Sequence, residues 1–404
     1  MSYPQHARSS SSAAAIVLGG YVNGYSIIRE LHAEGVPDIW LLDYGTSLAR
    51  YSNKITGCRA IDNSAKSLRE ALFVLKASYD RLVIFPTDDR QLENLHSLYD
   101  EIGDFCFLPF NRDTILGSLD KYTQYEFCEK LGVPYPKTRA LNTTADIAAL
   151  DSLTYPVLIK PNTRQDLTTP VFRSLYLESP AALATNRNQL VGFLESGTTF
   201  LASEYIPGDD THIYAYTGYR SPRGKIIREW IGKKLTQYPD LFGVFASASN
   251  EAPEVVRSQG RALLDGMNLI GIAEPEFKLD HRDGQYKLME INLRSMMWHR
   301  MGNLSGVKLQ HAQWLDAQGM DIPPQTQDLT TIIHFVYMKH EIVNLLSRPR
   351  YARHFRQNIW GGDTRYFAIF DKTDMKPFFY DLLSLPRGIL AGCLKAWLKR
   401  SKFE

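Results

Sequence analysis

The chain has 404 residues, 44% hydrophobic and 22% charged, and 46 Lys plus Arg nearly balance 44 Asp plus Glu for a net charge of +2. This composition supports a large packed core and excludes a disordered, collagen-like or disulfide-scaffold protein. A charge so near neutral argues against nucleic acid as a partner, which needs a strong basic footprint. Cys58, Cys106, Cys128 and Cys393 form no CxxC pair. Zinc is therefore not expected, the first three read as buried thiols, and a reducing compartment is implied. The Ser-rich start lacks an apolar leader core, and no apolar run is long enough to span a bilayer. The expected location is the cytoplasm, extending to the inner face of its membrane.

Residues 1–13 read as a flexible tail. Ala14–Leu18 predicts a buried strand that stops at Gly19-Gly20. A helix follows over 25–34, a strand over 38–43, a helix over 67–78 and a strand over 81–86. Strands alternating with helices imply a parallel sheet covered by helices, spanning 14–118. The glycines are spaced G-G-x-x-x-G, which a tight strand-to-helix turn explains without a dinucleotide. Asp43 stands where a ribose-binding acid would, so an NAD-dependent dehydrogenase is a competing reading.

Lys121–Leu131 reads as a helix stopped by Gly132, Pro134 and Pro136. Longer strands then appear at 155–161, 199–206, 212–219, 226–231, 272–279 and 286–292, the last two joined through an Asp283-Gly284 turn. A helix over 254–267 interrupts them. This half reads as α+β with antiparallel sheets. The stretch 331–404 is aromatic and basic. Near its end, Ile389, Leu390, Cys393, Leu394, Trp397 and Leu398 fall at helical spacing, with Lys395, Lys399 and Lys402 on another face. Residues 386–404 thus form an amphipathic segment that could dock on the protein or lie on an anionic membrane.

Four features carry chemistry. Lys160 ends an apolar strand, where an ammonium at a cleft edge supplies a point charge for phosphates. Glu204-Tyr205-Ile206 precedes a Pro207-Gly208 turn with Asp209 and Asp210 beyond it, a rigid connection that can offer backbone groups to a purine and an acid to a ribose. Alternation puts Glu290 and Asn292 on one strand face, with Glu276 on the partner strand. Crowded carboxylates need a cation between them, and a few hard oxygens suit Mg²⁺. Arg294 follows on the same face, where a guanidinium can meet an anionic substrate or a developing phosphoryl charge.

The segments VLIKP, EYIPGDD, PEFKLD and KLMEINLR, in this order, resemble the ATP-grasp superfamily of carboxylate–amine ligases. Asp120-Lys121 and LGVPYPKT resemble the same superfamily, and so does Ala49-Arg50-Tyr51-Ser52 upstream. The resemblance covers about residues 15–300, and its wording is nearest to the D-aspartate ligases, which add an amino acid to a peptidoglycan precursor. It implies an N-terminal parallel α/β (pre-ATP-grasp) domain at 14–118. A two-subdomain ATP-grasp fold with antiparallel sheets follows at 119–200 and 201–330, and an extension at 331–404. It implies ATP and Mg²⁺, with Mn²⁺ able to substitute, and amide formation through an acyl phosphate. The partners would be a small carboxylate and an amine acceptor that is an amino acid, peptide or glycan precursor. Lys121 and Lys160 would contact phosphates, Glu204, Tyr205 and Ile206 the adenine, and Asp210 the ribose. Glu276, Glu290 and Asn292 would bind the metal, and Arg294 with Lys160 would serve catalysis. Arg228, Lys233 and Lys234 are further candidates for the γ-phosphate. The Gly19-Gly20 and Pro86–Asp89 turns would form part of the substrate site. Residues 162–169 contain no glycine where the resembling proteins carry a Gly-rich loop, and Glu276 stands where they often carry Asp. A homodimer is compatible with this reading. The alternative is an inactive nucleotide-binding scaffold of the same fold.

Overall fold

The computed structural model describes residues 12–45, 47–162, 171–172, 174–239 and 243–386. The first unit contains β1 (Ala13–Leu18), α1 (Val22–Ala33), β2 (Ile39–Asp43), β3 (Gly57–Ala60), α2 (Ala65–Lys76) and β4 (Arg81–Phe85). It closes with α3 (Asp89–Ser97), α4 (Tyr99–Ile102) and β5 (Cys106–Phe107). The five strands form a parallel sheet in the order β3-β2-β1-β4-β5. All six residues of β1 are buried, as a central strand covered on both faces requires. The strand order reverses beside β1, so a crevice opens at the carboxyl ends of β1 and β4. Cys106 and Cys128 are buried as expected, whereas Cys58 is only partly so because β3 is an edge strand.

After α5 (Ile115–Leu119) comes α6 (Lys121–Leu131), which has the predicted bounds. Asp120 caps it by accepting from the Thr123 N–H at 2.8 Å, and Gly132 ends it in the left-handed region at φ 67°. β6 (Thr138–Leu141), β7 (Val157–Pro161), β8 (Leu175–Leu177) and β9 (Phe200–Glu204) form an antiparallel sheet in the order β6-β9-β7-β8, backed by α7 (Pro180–Glu195). Its core, built on Ile147, Leu150, Ile159, Leu190 and Phe200, is separate from the other two cores. The expected boundary between residues 200 and 201 falls inside β9, which pairs with β6 and β7 and so belongs to this sheet.

β10 (Ile213–Arg220), β11 (Ile226–Tyr238), β12 (Val244–Ser249), α8 (Glu254–Gly266), β13 (Gly271–Asp280) and β14 (Gln285–Asn292) follow. Then come α9 (Arg300–Leu304), α10 (Leu309–Ala317), β15 (Ile333–Val336), α11 (Met338–Ser347), α12 (Ala352–Trp360) and β16 (Thr364–Phe367). Seven strands make one sheet in the order β14-β13-β10-β11-β12-β15-β16, antiparallel except for β15 with β16. β15 and β16 come from the segment read as an extension after residue 330. They are strands of the main sheet because β12 offers an edge that β15 completes. A fully buried glutamate fixes the junction: Glu341 accepts from Thr236 at 2.7 Å, Ser247 at 2.6 Å, Tyr351 at 2.9 Å and Asn358 at 3.0 Å.

One face of this sheet is apolar. Tyr216, Ile231, Phe277 and Leu288 pack there against Val256, Leu263 and Leu264 of α8. Each fully buried aliphatic or aromatic side chain of this kind contributes about 2 kcal/mol. The opposite face carries the polar residues described next. The free edge of β14 is covered by α6: Gln124 donates to the Ile291 carbonyl at 3.2 Å and accepts from the Ile291 N–H at 2.9 Å. A helix from residues 375 to 386 ends the described chain. Most of the glycine-free loop and of the amphipathic segment, together with Cys393, lies outside the described residues.

Candidate functional site

The register of β13 on β14 assembles the site. Glu276 lies opposite Glu290 and Glu274 opposite Asn292, so the four side chains share one face. Two carboxylates facing each other repel, and here cations hold them. Lys234 of β11 lies 2.5 Å from Glu276, and Lys121, the first residue of α6, lies 2.6 Å from Glu290. The Gln124 clamp on β14 fixes α6, and so fixes where Lys121 reaches. Lys121 is the main cause that holds the Glu290 carboxyl well below the usual carboxylate range. Burial opposes it, and Lys160 and Lys234 add to it. Glu276 moves the other way: burial pushes its carboxyl up against the pull of Lys234, and the negative charges of Glu290 and Glu274 add to the rise. Burial alone would lower the Lys234 ammonium, but the ion pair with Glu276 outweighs it and raises it.

Asn292 is 8% exposed and its Nδ2 has no hydrogen-bond partner. A buried, unsatisfied amide beside two acids is costly unless something else completes it, and ligand atoms would do so. The open Nδ2–H is a donor and fits a phosphate oxygen, while the two carboxylates and the amide oxygen are of the type that suits a hard divalent cation. Among the described residues no group of three or more His, Cys, Asp or Glu could hold a metal ion. Glu274 is not a spare ligand. It lies 2.7 Å from His299 Nε2 and accepts from Thr217 at 3.2 Å and Trp298 at 3.3 Å, wholly buried. It braces the strand behind Glu276. Sequence reasoning missed it, although it stands two residues before Glu276 and alternation puts it on the same face.

The other expected residues fall into place unevenly. Lys160 is the last residue but one of β7, and its charge reaches Glu290. Glu204 ends β9 and accepts from the Thr154 N–H at 2.8 Å, while the Tyr205 N–H donates to the Pro156 carbonyl at 2.8 Å and Ile206 is buried. Lys278, unremarked in the sequence, sits 5.0 Å from the Tyr205 ring centroid and donates to the Gly208 carbonyl at 2.7 Å, which ties this linker to the large sheet. Asp210 is buried, and its two oxygens accept from the N–H and side-chain amide of Gln237, each at 3.0 Å. In the structure it anchors the end of β11. Arg294 forms an ion pair with Asp89 at 2.8 Å, at the start of α3. Of the three further γ-phosphate candidates, only Lys234 joins the acids. Lys233 pairs with Glu251 at 3.1 Å, because strand alternation sends it to the other face. Arg228 is buried and donates to the carbonyls of Lys308 and Pro323, so it is a structural clamp.

A second region, a cleft of about 630 Å³, opens at the carboxyl ends of the parallel strands. Gly19, Gly20, Asn23, Asp43, Thr87 and Asp88 line it. The glycine turn is required by geometry: Gly19 has φ +86°, and a Cβ at Gly24 would lie 1.9 Å from the Gly19 carbonyl oxygen. The cleft touches the carboxylate strand through Asn23, which donates to the Thr87 carbonyl at 3.0 Å and to that of Ser295, three residues past Asn292, at 3.4 Å. Its far wall comes from the C-terminal part of the chain: Lys339, Tyr380, Asp381 and Ser384.

A small antiparallel sheet and a larger, mostly antiparallel one, following a parallel α/β unit, have the layout of the ATP-grasp fold. It is similar to the D-aspartate ligase of Enterococcus faecium (strain Aus0004), 24% identical over 316 residues that cover 73% of this chain and 74% of that protein. The structure resembles N5-carboxyaminoimidazole ribonucleotide synthetase in its ADP complex, with TM-score 0.62, 15% identity and 83% and 84% of the two chains covered. It also resembles the Aspergillus clavatus N5-carboxyaminoimidazole synthase complexed with ADP and 5-aminoimidazole ribonucleotide, with TM-score 0.58, 17% identity and 80% and 81% covered. A third neighbour is the Campylobacter jejuni biotin carboxylase, with TM-score 0.61, 13% identity and 78% and 73% covered. No family model matches the chain.

Proposed function

We propose that the chain is an ATP-dependent carboxylate–amine ligase that attaches an amino acid to a cell-envelope precursor. The observation that carries the reading is the facing pair Glu276 and Glu290, with Lys121, Lys160 and Lys234 converging on it. Such a set neutralises a triphosphate and its cation, which is where phosphoryl transfer gains most of its rate. The similarity to a D-aspartate ligase supports the substrate class.

In this mechanism a substrate carboxylate oxygen attacks the γ-phosphorus of ATP, giving an acyl phosphate and ADP. An amine then attacks the acyl carbon, and phosphate leaves. Glu276, Glu290 and Asn292 would hold Mg²⁺, which supplies charge neutralisation at the phosphates. Lys121 and Lys160 would take phosphate oxygens in exchange for their present carboxylate neighbours. Glu204, Tyr205 and Ile206 would line the adenine site, with Asp210 near the ribose through its hold on Gln237. Arg294, released from Asp89, would meet the acyl phosphate or the acceptor. The cleft at Gly19-Gly20 would hold one of the two substrates, next to the strand that bears Asn292.

The test is ADP and phosphate release from Mg·ATP against amino acids of both hands, with and without an envelope precursor pool. Amino-acid-dependent ADP formation is expected. Absence of both ADP formation and ATP binding would remove the reading. ATP binding without turnover under every condition would favour the scaffold alternative.

A further inference from the structure

The helix over residues 375–386 has two faces with different tasks. Its inner face is anchored. Asp381 accepts from Tyr337 at 2.9 Å, Ser384 accepts from Lys339 at 2.7 Å, and Tyr380 packs on Tyr51 at 4.7 Å between centroids. These contacts fix the helix as the far wall of the cleft. Its outer face carries Phe379, Leu382 and Leu383, which are 52%, 49% and 79% exposed. They stand at i, i+3 and i+4, a continuous apolar stripe, with exposed Lys376 one turn before. Exposed large apolar side chains in a stripe mark a docking surface.

Charge identifies the occupant. Between residues 372 and 402 the sequence holds seven Lys and Arg against two Asp, although the whole chain is only +2. Both acids are turned inward: Asp374 is buried, accepting from Tyr25 at 3.1 Å, and Asp381 faces the cleft wall. Among the described residues of this helix, the outer face is therefore apolar and carries Lys376 with no acid. The sequence beyond it continues that pattern through Trp397 and Lys399. An apolar stripe flanked by lysines matches the boundary between headgroups and acyl chains of an anionic bilayer.

We propose that Phe379, Leu382 and Leu383 dock the protein on an anionic membrane surface, so that the cleft opens beside the lipid headgroups. The docking stands without the ligase chemistry. Only its consequence, an acceptor drawn from the membrane, rests on the proposed function.

The experiment is co-sedimentation of the full chain with vesicles of phosphatidylcholine alone and of phosphatidylcholine with phosphatidylglycerol, without ATP. Binding to the anionic vesicles is expected, falling with added salt. Combining Phe379→Ser, Leu382→Ser and Leu383→Ser should lower partitioning at least about tenfold, at about 0.8 kcal/mol per buried CH₂ lost. ADP binding and the thermal midpoint of that variant should stay unchanged, because the inner face is untouched. Equal sedimentation of the variant, or none by the parent chain, would overturn the proposal. The latter would mean that the stripe is covered by residues 387–404. Loss of ligase activity with binding intact would count against the proposed function alone.

Discussion

Two glutamates, one in each half of the molecule, have their carboxyls displaced in opposite directions. Glu290, on the seven-stranded sheet, has Lys121 at 2.6 Å and its carboxyl is held below the usual range. Glu30, on α1 beneath the cleft, is 2% exposed and accepts from the His311 N–H at 3.0 Å. Burial there outweighs the N–H donors and the charge of Arg300, and pushes it up to about 7. The difference teaches what each region is for. On the sheet, Lys121 keeps Glu290 ionised against burial, which is a state ready to exchange cations. The parallel unit tolerates a neutral acid, which is a scaffold's solution.

The strongest way to break this comparison is Glu290→Ala. Removing one of the two facing acids should lower ADP formation by at least about 10³-fold while the fold survives. Near-normal turnover measured on the purified variant would show that the pair is not the reaction centre. Next is Lys234→Met. It leaves Glu276 buried without its cation, so unfolding in urea should show a loss of about 3–5 kcal/mol. Lys121→Met separates function from stability. Its pair with Glu290 is partly exposed, so stability should fall by about 1 kcal/mol or less while ATP binding weakens clearly.

The pH dependence of stability sharpens the contrast. Glu290 has a depressed folded value, so its contribution is complete above the ordinary carboxylate range and is lost as pH falls below it. Glu30 has a raised one. Between about 4.5 and 7 the folded state keeps a proton that the unfolded state has lost, so its effect is to lower stability as pH rises. Glu30→Gln should flatten that slope and stabilise the protein above pH 7 by no more than about 3 kcal/mol. Thermal midpoints from pH 4 to 8 decide this; an unchanged slope would show that Glu30 is ionised throughout.

Much of this was legible in the residues. α6 occupies Lys121–Leu131 because Asp120, Gly132 and the prolines mark both ends, and these signals are local. Glu290 and Asn292 share a face because a strand has period two. The pairing of Glu276 with Glu290 was not legible. It depends on register, and the irregularity between Glu276 and Phe277 shifts that register by one residue midway along the hairpin. Lys234 was only one of three basic candidates, and its neighbour Lys233 points away. Arg294 stands two residues past Asn292 in sequence, yet Asp89, more than two hundred positions earlier, claims it. β15 and β16 went unread because each has four residues and takes its place from the edge that β12 leaves open.

The sequence by itself determined the order of the elements, their amphipathic faces and the residue types that a triphosphate demands. Those follow from neighbours a few positions apart, through propensity, capping and alternation. The tertiary structure decided which lysine neutralises which acid. It also decided that α6 closes the edge of β14, and that the C-terminal helix walls the cleft with one face and exposes Phe379, Leu382 and Leu383 on the other. Those outcomes depend on distances between residues far apart in the chain, and only packing sets such distances.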